Sequence, residues 1–173
     1  MLVKVVYLCC YKRVSKHYKK MKNTLTTIVL LLFTFTLIAC ECPEYDLKTL
    51  DKVSYEMSDV VIIGVVVKTG TNFKIVVVEL LKGTIKSDTL DGTVYESDDA
   101  INSCSFFPRD KGKYLFYLNR VILKGKTYYQ YSECLGTRML NMAVYPVSLH
   151  TEKTKKELII DTNLWIDEMR RKK

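Results

Sequence analysis

The chain has 173 residues, 27 of them Lys or Arg and 19 Asp or Glu, for a formal charge of +8. Seven basic and no acidic residues precede position 40, which leaves 20 basic against 19 acidic side chains beyond it and excludes a basic nucleic-acid face as the main reading. About 134 residues after the leader suit one ordinary domain rather than two, and an apolar fraction of 48% excludes wholesale disorder.

Met1 to Lys20 combines a short apolar run, Cys9-Cys10 and a basic cluster. Met21 opens a cleaner pattern: Lys22, then an apolar run of 11 residues from Ile28 to Ile38, broken only by Thr34 and Thr36. A run this short falls below the ~20 residues of a membrane-spanning helix and suits the apolar region of an export signal. Met21 is read as the true start and residues 1–20 as an upstream misreading, the alternative being one longer basic leader; either way residues 1–39 are a leader segment outside the fold. Leu37-Ile38-Ala39-Cys40 resembles a bacterial lipoprotein box, with a branched residue three before the cysteine and a small one directly before it. That resemblance implies cleavage before Cys40 and a diacylglycerol on its sulfur, a two-chain anchor far stronger than one acyl chain. The alternative is ordinary secretion, against which Leu37 argues, because ordinary cleavage favours a small residue there.

Asp46 to Ser58 predicts a helix, with Asp46 as N-cap and Leu47, Leu50, Val53 and Met57 at helical spacing. Val60 to Val67 and Phe73 to Leu81 predict two strands of a hairpin around Lys68–Asn72. Thr89 to Tyr95 predicts a third strand, Glu96 to Asn102 a loop, Tyr114 to Leu118 a fourth strand and Lys126 to Ser132 a fifth. Lys124-Gly125 is the turn between Val121-Ile122-Leu123 and the fifth strand. Five short antiparallel strands with glycine turns suggest a small barrel or sandwich. Glu152 to Arg171 predicts an amphipathic helix on Leu158, Ile159, Trp165, Ile166 and Met169, and Arg170 to Lys173 suit its negative end.

Four cysteines follow the leader: Cys40, Cys42, Cys104 and Cys134. Cys40-Glu41-Cys42 is too tight for a structural zinc site, and His150 is the only histidine past the leader, so disulfides are the expectation and no metal is. Closing a loop of about 60 to 90 residues stabilises by about 4 kcal/mol on chain-entropy grounds.

Cys40-Glu41-Cys42-Pro43, Ser58-Asp59 before an apolar strand, Val78 to Lys82-Gly83, Ser103-Cys104-Ser105-Phe106, Lys113 to Phe116 and Glu133-Cys134-Leu135-Gly136-Thr137-Arg138 follow one another in an order that resembles the tissue inhibitors of metalloproteinases and their netrin-like relatives. The proline comes one position earlier than in that family's opening. The resemblance runs from Cys40 to about Arg138. It implies a netrin-like, oligonucleotide/oligosaccharide-binding (OB) type barrel; together with the two helices read from their periodicity, the expected fold is mainly β, a five-stranded barrel domain over residues 40–150 with the N-terminal helix beside it and a C-terminal helix within 151–173. It also implies pairing of Cys40 with Cys104 and of Cys42 with Cys134. In animal members the free amine and carbonyl of the first cysteine chelate the protease zinc, a role that falls here on Cys40, with Glu41, Cys42 and Pro43 as the wedge.

The two resemblances compete for one sulfur. A lipidated Cys40 joins no disulfide, which leaves Cys42–Cys134 as the bridge and Cys104 free or paired in its place. The primary expectation is a lipoprotein of the bacterial cell envelope, membrane-anchored through Cys40, whose domain is a protein-interaction module for an envelope protein or a zinc metalloprotease. The alternative is a secreted metalloprotease inhibitor. No catalytic constellation, phosphate loop or cofactor motif stands out. His150 reads as a surface residue, Asp98-Asp99 as a solvated loop, and Tyr128, Tyr129 and Tyr131 as half-buried sheet residues rather than a stacking platform.

Overall fold

Asp46 fixes where the first element begins. In the computed structural model, which describes residues 42–96, 104–143 and 146–172, the amides of Lys48 and Thr49 donate to the Asp46 carboxylate at 3.0 and 3.1 Å. Helix α1 then runs Leu47–Met57 and stops at Ser58, which is extended. The chain divides into units Met1–Ala39 and Cys40–Lys173, and every described residue belongs to the second.

The strands are β1 Val60–Lys68, β2 Lys74–Lys82, β3 Thr89–Asp91, β4 Ser105–Phe106, β5 Lys113–Leu123, β6 Lys126–Ser132 and β7 Arg138–Met139, followed by helix α2, Lys155–Arg171. They form one antiparallel sheet in the order β3-β2-β1-β5-β6-β4, with β7 paired to β5. The sheet does not close through a continuous ladder. It curls enough for a parallel bridge between Gly92 and Tyr129, and the Thr93 amide donates to the Tyr129 carbonyl at 3.0 Å.

Two differences from the expected strands have local causes. The fourth expected strand does not end at Leu118 but runs on through Val121-Ile122-Leu123. The polar pair Asn119-Arg120 does not break it, because Asp59 bonds both: its amide donates to the Asn119 carboxamide and its carboxylate accepts from the Arg120 amide. At that point β5 passes from pairing β1 to pairing β6. The β5–β6 turn has Lys124 at φ 51° and Gly125 at φ 75°, the doubly left-handed pair that two-residue hairpins favour. The third strand ends at Asp91 rather than Tyr95. Gly92 lies flat against the Phe73 ring, where a Cβ would come within 1.9 Å of ring carbon, and the chain turns there toward β6.

The curl separates two apolar layers. Val60, Ile62, Phe73, Ile75, Phe116, Leu118, Tyr129 and Tyr131 pack inside it. Val61, Ile63, Leu115 and Tyr117 face outward and are covered by Ile166 and Met169 of α2. Both faces of β1 are therefore buried near its start, which is why its sequence reads as an unbroken apolar run. Helix α2 starts with a capping box, in which the Thr154 and Glu157 side chains each accept the other's backbone amide. Near its end Arg170 forks onto Glu79 of β2 at 2.8 and 2.7 Å.

Two predictions follow from the local chemistry. Gly92→Ala is expected to destabilise by about 1–3 kcal/mol, read as a lower urea midpoint at unchanged slope. At Asp46, hydrogen bonds from the Thr49 side chain and amide hold the carboxyl below its ordinary range. A lowered folded value means the stabilisation is complete above the ordinary aspartate pKa of about 3.9 and is lost as pH falls through the folded value. Asp46→Ala is expected to cost about 1 kcal/mol at neutral pH, and the gap between the two proteins should close when unfolding is repeated in increasingly acidic buffer.

Candidate functional site

The segment after Cys42 is clamped at several points. Cys42 is disulfide-bonded to Cys134 across a separation of 92 residues. Three residues on, the Tyr45 amide donates to Ser148 and the His150 amide to Tyr45, each at 2.9 Å. The Ser148 hydroxyl closes the loop by donating to the Cys134 carbonyl at 2.7 Å. Pro43 and Glu44 are exposed between these fixed points. His150 is 74% exposed, 3.7 Å from Glu44, as befits a surface residue.

Cys104 is also disulfide-bonded, to a partner outside the described residues; it is not a free thiol. Cys40, Glu41, Asp98 and Asp99 lie outside the described residues. Tyr129 and Tyr131 are 7% and 5% exposed and belong to the inner core, while Tyr128 is half-buried under Lys126. The tyrosines thus offer no open stacking face.

A cleft of about 420 Å³ opens beside the clamp, with Glu133 and Leu135, the neighbours of Cys134, in its wall. Phe106, Tyr114, Tyr131, Pro146 and Val147 make it mostly apolar, and Arg109 reaches over the Phe106 ring at 5.4 Å. The Tyr114 hydroxyl donates to the Asp110 carbonyl at 3.0 Å. The Tyr131 hydroxyl has no hydrogen-bond partner among the described residues, and burial pushes its ionisation far up, so it stays protonated as a donor.

Behind the clamp is a polar network that the sequence pattern did not reveal. Arg138, fully buried, grips Asp51 of α1 with both terminal nitrogens, at 2.6 and 2.9 Å. Its Nε donates to Thr162 of α2 and one terminal nitrogen also donates to the Gly136 carbonyl. The Tyr117 hydroxyl donates to Asp51 at 2.7 Å and accepts from the Trp165 indole at 2.8 Å. Ser54 accepts the Gly136 amide. Burial raises the Asp51 carboxyl, against the pull of Arg138 and Tyr117; the two-pronged geometry keeps it ionised in the pair. Asp51 lies at the buried helical spacing of Leu47, Leu50 and Ser54, a charge on the apolar face that was the available signal. Its partner, 87 residues away, has no local signature.

Among the described residues no group of three or more His, Cys, Asp or Glu is placed to hold a metal ion, and no helix is long and apolar enough to cross a membrane. No protein-family model, curated protein or solved structure matches the chain.

Removing either partner of the buried pair, as in Asp51→Leu or Arg138→Met, is expected to cost about 3–5 kcal/mol, and the double variant less than either alone; chemical denaturation of the three proteins checks this. Cys42→Ser with Cys134→Ser is expected to cost about 2–5 kcal/mol, and amide exchange should show new opening at Tyr45 and His150.

Proposed function

We propose that the protein is an exported lipoprotein of the bacterial cell envelope, anchored through Cys40, whose domain binds another envelope protein and catalyses no reaction. The single observation that carries the reading is the clamp: Cys42 is tied to Cys134, and Tyr45 to Ser148 and His150, directly after the position where an anchor would be attached. A bridge spanning 92 residues suits an oxidising compartment. The sheet path, with β3 returning beside β6 in parallel through Gly92 and Tyr129, supports an OB-type, netrin-like barrel whose last seam is a single bridge.

A second reading is favoured by one observation, the disulfide at Cys104. The likeness to metalloproteinase inhibitors makes Cys40 its partner, and because a sulfur in a disulfide carries no thioether, the anchored form requires that this bridge be absent from the exported protein. The chain is then a secreted inhibitor of a zinc metalloprotease, with the amine and carbonyl of Cys40 as chelating groups and Glu41, Cys42 and Pro43 as the wedge.

Intact mass of the exported protein, before and after reduction, separates the two. The anchored form is expected to carry diacylglycerol on Cys40 and to partition into detergent. An unmodified amine at Cys40 with two reducible bridges, from protein purified without detergent, would overturn it in favour of the inhibitor, which should then block a zinc endopeptidase in stoichiometric amounts.

A further inference from the structure

The cleft beside Cys134 has the features of a ligand site, whatever Cys40 carries. Its volume of about 420 Å³ lies within the roughly 300–1,000 Å³ of small-molecule sites. Its walls are aromatic and aliphatic, from Phe106, Tyr114, Pro146 and Val147. Val147 is 66% exposed at the mouth.

Two polar groups in this apolar cleft lack a described use. Tyr131 is 95% removed from solvent, and its hydroxyl, which makes no hydrogen bond among the described residues, is not sealed in the core but open to the cleft it lines. A donor held at the wall of an apolar cleft is available to an acceptor that enters it. Arg109 is exposed, rests on Phe106, and its positive charge is felt at the Tyr131 hydroxyl. A protonated phenol and a guanidinium both donate and neither accepts. Their shared complement is an oxygen-rich acceptor with negative charge. Asp110 and Glu133 also line the cleft and disfavour a ligand with several charges.

We infer that this cleft binds an apolar group bearing one carboxylate, with the carboxylate accepting from Arg109 and the Tyr131 hydroxyl and the apolar part lying along Phe106 and Val147. Two sources share that chemistry: the C-terminus of a peptide ending in an apolar residue, and a free aliphatic acid.

The test uses the exported, disulfide-intact protein and calorimetric titration with N-acetylphenylalanine, its neutral amide, and decanoate. The expected result is saturable binding of a carboxylate, at least about tenfold tighter than the amide. Tyr131→Phe should weaken it about tenfold or more, and Arg109→Gln should abolish the preference for carboxylate over amide. Tighter binding of N-acetylphenylalanine assigns a peptide terminus, and tighter binding of decanoate an aliphatic acid. Equal affinity for acid and amide, or no saturable binding up to about 5 mM of either acid, overturns the inference. Melting of Tyr131→Phe gives a separate check. A hydroxyl kept for a ligand leaves the melting temperature unchanged or higher, whereas a marked fall means that it serves the fold, and the inference fails.

Discussion

The pair between Arg138 and Asp51 is the constraint on which the arrangement of the domain depends. Arg138 belongs to the two-residue strand β7, Asp51 to α1, and their remaining side-chain bonds reach Tyr117 on β5 and Thr162 on α2, with Trp165 of α2 donating in turn to the Tyr117 hydroxyl. Four elements that hydrophobic burial alone would let slide are thus held in one register. An isolated buried charge costs several kcal/mol, so each member tolerates only the geometry that satisfies the others. No buried side-chain nitrogen or oxygen among the described residues lacks a partner, so the network is complete as well as deep. A pair of this kind contributes little net stability over apolar residues of the same size; here it dictates which face of each helix meets the sheet.

That arrangement decides what the N-terminal segment can do. β7 follows Cys134 by only a few residues, and Gly136 and Thr137 between them are bonded to Ser54 and Tyr117. The disulfide partner of Cys42 therefore stands on a stretch that the polar network already immobilises. Lys82 adds to this from the other end of α1, its ammonium lying over the Tyr55 ring and donating to the carbonyls of Tyr55 and Ser58, which satisfies groups that a helix end leaves open.

Much of the fold was legible in the sequence because its signals are local. Asp46, the period of α1, the apolar run of β1, and Lys124-Gly125 each act within a few residues, and the corresponding elements lie where expected. What was not legible depends on distance. Ser105-Phe106 and Arg138-Met139 are too short to show a period, and they are strands only because Tyr131, Ser132, Tyr114 and Leu115 lie opposite. Asn119-Arg120 reads as a break because its partner Asp59 is some sixty residues earlier. The cysteine motifs pointed to the clamp, but the cleft beside it draws Phe106, Tyr131 and Val147 from separate segments, and no spacing reports such a convergence.

The bridge to Cys134 also sets a leash. Two peptide units separate Cys40 from Cys42, and an extended chain covers at most about 3.6 Å per residue, so the α-carbon of residue 40 stays within roughly 7 Å of a point the fold holds still. Under either proposed function, a group borne by that residue would lie close to one side of the domain. If that residue is the point of capture, most of the entropy that a long flexible stalk would lose on binding is already given up when the bridge forms.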